Sequence, residues 1–418
     1  MNLIALISLL TLCAAIVFAF IFKVNTGIVS ISFALILSFF VEGIDDAWLL
    51  KAFDSKMFLM LFGVMYLFCL AQENKTLELL AKKILNLCRG RVKFFPIILF
   101  VISAVISAIG PGPISVTALI SVLIVAIAKE TNTKPISLLP FGILGSFAGG
   151  LSPITPSGIV AIAKAEESGI KGIEADLLFK MALANVLYAV ILYFFVFKWH
   201  KAKNIDSNNG TTEALPSFSV KQIVTLVAVC AVAAVTTIFG INVGLVALVA
   251  AVILCVFRCS DESAALKKVP WGTLIMITGV GILISLVTEV GGIDLLSEAL
   301  SKLMGKHTAT AIISILAGVM SWFSSASGVV MPTLIPTVPD LVQTLGTVGA
   351  QELVIGICLG AHVAAISPLS SCGGLALAAC SSQYDLTVKE RNRIFSQLFT
   401  LSAAGVLFIG LLGLVGLY

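Results

Sequence analysis

Apolar residues fill this chain in long runs separated by short polar clusters. Runs at 2–22, 26–42, 53–72, 175–198, 218–239, 241–257, 271–289 and 394–416 are close to the ~20 residues that cross a bilayer as helix. Two further runs, 135–165 and 350–381, are interrupted by Ser152-Pro153-Ile154-Thr155-Pro156-Ser157-Gly158 and Ser367-Pro368-Leu369-Ser370-Ser371-Cys372-Gly373. Proline lacks an amide hydrogen and glycine tolerates unusual backbone angles, so both runs are predicted to be broken helices. Apolar pairs at 94–109 with 113–128, and at 308–323 with 329–345, break at Gly110-Pro111-Gly112-Pro113 and Ser324-Ser325-Ala326-Ser327-Gly328. Each half is too short to span, which predicts two re-entrant hairpins. Segments 74–90 and 291–305 are amphipathic: Leu77, Leu80, Ile84 and Leu87 form a stripe against Lys82, Lys83 and Arg89. Such helices lie along a membrane surface.

The pattern repeats. Shifting the first half by 216 places Met60, Gly63, Val64, Leu67 and Glu73 on identical residues, Gly112 on Gly328 and Thr117 on Thr333. A shift of 215 superposes the two Ser-Pro loops. The expected fold is therefore an all-α polytopic membrane protein of two repeats, each with five transmembrane segments and one re-entrant hairpin. The first repeat spans 1–198, with hairpin 94–128 and broken helix 135–165. A polar linker follows at 199–217. The second repeat spans 218–418, with hairpin 308–345 and broken helix 350–381. An odd number of crossings inverts the second copy. With both termini external, only Lys51, Lys56, Lys164, Lys171, Lys180, Lys302 and Lys306 of the 26 Lys and Arg lie outside, and this positive-inside bias sets the orientation and makes the linker cytoplasmic.

Composition agrees: 59% of the 418 residues are hydrophobic and 11% charged, with a mean hydropathy of +1.10. Soluble domains carry about 25% charge. Residues 1–22 lack a basic n-region and a clear cleavage site, so they read as a first helix rather than a signal peptide. No basic run with interleaved aromatics points to nucleic acid. The nine cysteines are scattered and read as small apolar fillers; no cofactor is expected.

Four breaks then converge near the bilayer midplane. Helix ends expose amides that suit an anion, or carbonyls that suit a hard cation such as sodium. Paired discontinuous helices are the sequence signature of a transporter's binding site. These breaks offer hydroxyls and no Lys or Arg, so an anion bound there relies on helix ends, hydroxyls and a co-bound cation. Gly142 and Gly145 are expected to allow close helix packing, and Asn185 to cross-link helices. His362 is a candidate proton or substrate contact, as any intramembrane histidine is. Glu73 and Glu289 occupy matching, solvated segment ends. No G-x-S-x-G or H-E-x-x-H marks an intramembrane enzyme, and no enzyme activity is expected.

The four breaks, as spelled above, resemble those of the ion transporter superfamily, and within it the divalent anion:sodium symporters, especially their malonate-carrier-like dicarboxylate branch. Well-studied members carry Ser-Asn-Thr at each hairpin tip, where this chain has Gly-Pro-Gly-Pro and Ser-Ser-Ala-Ser-Gly. The resemblance implies a homodimeric elevator carrier in the cytoplasmic membrane, moving a small dicarboxylate such as malonate or succinate with sodium. It implies substrate contacts at Gly112, Pro113, Ser115, Ser157, Ser325, Ser327, Gly328 and Ser371. Sodium, the only metal expected, would bind at Gly110, Ser152, Thr155, Ser324, Ser367 and Ser370. Proton-coupled carboxylate transport, anion exchange and sodium/proton antiport are the alternatives within the superfamily; an antiporter would bury a carboxylate in its broken helices, where this sequence has none.

Overall fold

The computed structural model describes residues 3–86, 94–130, 133–197, 216–239, 241–346, 348–384 and 386–418, and all regular structure among them is helical. Nearly all of the expected linker 199–217, together with Leu87 and Arg89 of the amphipathic stripe, lies outside the described residues. Five described helices are long and apolar enough to cross a membrane singly: Leu3–Phe22, Ser55–Glu73, Glu174–Phe195, Trp271–Glu289 and Val388–Val415. The expected spans 26–42 and 241–257 are helical only over Thr26–Ser38 and Val243–Val256, 13 and 14 residues, or about 20 Å at 1.5 Å per residue.

Caps explain where helices begin. The Asn25 side chain accepts from Gly27 N at 2.9 Å, and Asn242 from Gly244 N at 3.0 Å. Asp45 accepts from Trp48 N at 2.8 Å, and Asp261 from Ala264 N at 2.9 Å. Each of these oxygens satisfies an amide that has no partner within its helix. The two aspartates start short helices, Asp46–Lys51 and Glu262–Lys268, that hydrophobic patterning alone did not predict. The first helix is integral to the fold: it buries Ser8, Leu12 and Ala15 and packs against Gly292–Leu303.

The helices form two groups. In the scaffold, Ser55–Glu73 packs on Val243–Val256, and Trp271–Glu289 packs on Thr26–Ser38. Each contact joins one half of the chain to the other, and each is a glycine crossing. A Cβ on Gly63 would strike the backbone of Gly244, and one on Gly279 would strike that of Gly27. The second group holds the hairpins and broken segments. Phe95–Ala108 and Gly112–Glu130 form the first hairpin. Ala309–Phe323 turns by 118° into residues 326–345 to form the second. The broken segments are Leu139–Ala148 with Pro156–Glu167, and Ala350–Ala364 with Ser371–Gln383. Gly145 rides on the backbone of Phe100 and Gly360 on that of Ser314, so the packing role expected for Gly145 is observed. Two outer helices clasp this bundle: Tyr188 donates to Leu401 O at 2.5 Å, and Trp322 Nε1 donates to Ser402 Oγ at 2.9 Å. Asn185 does not cross-link helices; its Nδ2 donates to Met181 O at 2.8 Å within the same helix and its Oδ1 has no partner.

Backbone-to-backbone packing leaves no room for a side chain, and forced overpacking costs about 1–3 kcal/mol. Gly63→Val and Gly244→Val are each expected to lower the thermal midpoint of the purified protein in detergent by several degrees. Gly281, with open space around it, should accept alanine without loss.

Candidate functional site

At the first hairpin tip, Gly110 has φ +143° and Gly112 φ +76°, angles that side chains on L-residues disfavour. This backbone breaks the helix between Ala108 and Gly112 and sets Gly110 against the Phe68 ring. At the second tip, Ser325 caps the returning arm by accepting from Gly328 N at 3.1 Å, while Ser324 donates to Met320 O at 2.7 Å. Gly328 faces Met276. In the first Ser-Pro loop, Thr155 is fully buried, donates to Gly150 O and Ser152 O at 2.7 and 2.8 Å, and accepts from Gly158 N at 3.1 Å. In the second loop, Ser367 accepts from Leu369 N at 3.2 Å, and Ser370 N donates to Ser367 O at 2.9 Å. Thr155, Ser324, Ser325 and Ser367 thus hold the breaks in shape.

Other hydroxyls in the breaks are not used that way. Ser115, Ser152, Ser157, Ser327, Ser370 and Ser371 make no side-chain hydrogen bond among the described residues. Three of them, Ser115, Ser157 and Ser327, line one cavity of about 90 Å³ together with Gly110, Gly112 and Pro113. The cavity therefore joins both hairpin tips and the start of Pro156–Glu167. Of the other candidates, Ser325 and Gly328 sit beside this lining, Ser152, Thr155, Ser367 and Ser370 are buried within the loops, Ser324 is half-buried at the second tip, and Ser371 is exposed. His362 is off the lining. It is buried, with Nδ1 3.0 Å from Cys358 O, and its ring meets Phe147 edge-on at 5.8 Å. It has no serine hydroxyl partner among the described residues, so no Ser–His pair for hydrolysis forms there.

The opposite wall comes from the scaffold, which sequence reasoning missed. Met65, Phe68, Cys69 and Gln72 share one face of Ser55–Glu73, and Lys268, Pro270 and Thr273 lead into Trp271–Glu289. The i, i+3, i+4, i+7 spacing of the first four was a readable signal, but which helix they would face was not. Glu73 is not simply solvated: it pairs with Lys268 at the cavity rim. Among the described residues, every fully charged side-chain type is absent from the buried set, whose polar members are Ser, Thr, Asn185 and His362.

The family profile described as citrate transporter, CitMHS, matches residues 4–360. The chain belongs to the citrate transporter family. No curated protein matches it. Among solved structures, the YdaH transporter of Alcanivorax borkumensis is similar at a TM-score of 0.59 and 12% identity, covering 90% of this chain and 89% of that one. This likeness extends to fold alone. This member of the citrate transporter family is thus a multi-pass helical membrane transporter.

Thr155→Val keeps shape but removes a buried cap, and should destabilise the protein by about 1–2 kcal/mol in thermal unfolding. Ser157→Ala removes a hydroxyl that holds nothing in the protein. It should leave the thermal midpoint nearly unchanged, within about 0.5 kcal/mol.

Proposed function

We propose that this chain is a sodium-coupled secondary transporter that carries a small carboxylate, with two or three acid groups, across the cytoplasmic membrane. The observation that carries this reading is the cavity where the two hairpin tips and the first broken helix meet the scaffold. Its hydroxyls and helix ends suit carboxylate oxygens, and family membership favours a carboxylate cargo. Ser152 and Ser370, buried and uncommitted in the two loops, suit a hard cation alongside loop carbonyls. The absence of a buried carboxylate among the described residues disfavours sodium/proton antiport, which needs a titrating acid at its site.

An elevator movement between inverted repeats is the mechanism we favour. Helix starts recur at a nearly constant offset: Leu3 and Val220, Thr26 and Val243, Ser55 and Trp271, Pro156 and Ser371. Phe147 and His362, equivalent at an offset of 215, touch each other, as residues beside a two-fold axis do. Yet the tips do not sit symmetrically. The first faces Phe68 and the second Met276, and at the offset of 216 Met276 corresponds to Met60. Those positions lie eight residues apart on one helix, about 12 Å at 1.5 Å per residue. Two repeats that exchange conformations would carry the bundle through about that distance. The occupied end is the one that the positive-inside bias assigns to the cytoplasm, which on this reading corresponds to an inward-facing state. A homodimer built on the scaffold, with both chain termini external, accompanies this reading.

The test is uptake of radiolabelled malonate, succinate and citrate into proteoliposomes, with and without an inward sodium gradient. Sodium-driven accumulation of at least one acid, lost in Ser157→Ala and Ser327→Ala, is expected. Accumulation driven only by a proton gradient would overturn the sodium coupling, and no uptake of any acid would overturn the carboxylate assignment.

A further inference from the structure

The cavity has one cation among its described lining residues, Lys268, and it belongs to the scaffold rather than to the hairpins or broken helices. Its ammonium pairs with Glu73 on Ser55–Glu73. The pair is uneven: the Lys268 side chain keeps 48% of its surface exposed and Glu73 24%. Across the cavity stand Ser115, Ser157 and Ser327, whose hydroxyls have no protein partner. An accessible ammonium held by a carboxylate, on the same cavity as three uncommitted hydroxyls, forms half of an anion site. A carboxylate bound on the tips has further acid groups that must point somewhere, and the scaffold wall otherwise offers Met65, Phe68, Cys69 and Pro270.

We propose that Lys268 is a specificity-determining contact that exchanges Glu73 for a distal carboxylate of the bound substrate, and does so only when the bundle stands at the cytoplasmic end of the scaffold. This rests on the carboxylate reading of the same cavity and on the elevator movement proposed above. Charge-assisted pairs are the strong ones, and a half-exposed pair exchanges at little net cost because water screens it. Because Lys268 stays with the scaffold, a substrate carried to the other face leaves it behind. The contact therefore sets affinity on the cytoplasmic side alone, and favours anions with an acid group beyond the one held at the tips.

The test compares KM for malonate, succinate and citrate in right-side-out and inside-out membrane vesicles holding the full chain. In inside-out vesicles, Lys268→Gln should raise KM roughly five- to tenfold, with Lys268→Arg close to wild type. Glu73→Gln, which frees the ammonium, should lower KM. In right-side-out vesicles neither variant should shift KM. A merely structural pair predicts that Lys268→Gln and Glu73→Gln act in the same direction, since both break it; that outcome, or equal shifts on both faces, overturns the proposal while leaving transport intact. Wild-type vesicles that move no carboxylate in either orientation overturn the underlying reading and this proposal with it.

Discussion

Everything in this structure depends on how a broken backbone is satisfied inside hydrocarbon. A free amide or carbonyl there costs several kcal/mol, so irregular chain survives only where protein or a wet cavity covers it. Four breaks interrupt the helices here, and each carries its own repair. Thr155 closes the first Ser-Pro loop through three contacts, Ser367 folds the second, and Ser324 and Ser325 shape the second tip. The first tip uses two positive-φ glycines instead. Once the repairs are complete, the hydroxyls left over have no structural duty, and three of them face one cavity.

The remainder of the fold exists to keep those breaks covered. Gly145 and Gly360 let the broken helices lie directly on hairpin backbone. Thr117 and Ser146 join hydroxyls at 2.9 Å across the first such contact, and Ser321 donates to Ala361 O at 2.7 Å across the second. The second half of each broken segment packs on the hairpin of the other half: Pro156–Glu167 on residues 331–337, and Ser371–Gln383 on Gly112–Glu130. This crossed arrangement ties the tips into one unit. The scaffold is tied separately through its glycine crossings.

The breaks and most helix limits were legible because proline, glycine and hydrophobic period act locally. Trp271–Glu289 matches the expected 271–289. The short helices Asp46–Lys51 and Glu262–Lys268 escaped because caps, not hydrophobicity, define them. The wall formed by the breaks was legible for the same reason: Gly110, Gly112, Pro113, Ser115, Ser157 and Ser327, all in or beside helix-breaking clusters, line the cavity. The scaffold wall was not, because its residues become neighbours only through tertiary packing. Lys268 counted as one more positive charge near the membrane, since nothing local to it names Glu73, 195 residues away, as its partner. Asn185 and His362 drew notice as isolated polar residues in apolar runs, and both turned out to bond within their own helices.

The proposed transport movement is a slide of the hairpin unit, as a body, along the scaffold. Disulfide trapping tests it directly, in protein whose nine native cysteines have been replaced. Ser327→Cys is paired with either Met276→Cys or Ile284→Cys, eight residues further along the same scaffold helix. Cross-linking of the first pair is expected in the resting protein, and of the second once sodium and a transported acid are supplied. Cross-linking at Met276 alone under every condition would contradict it.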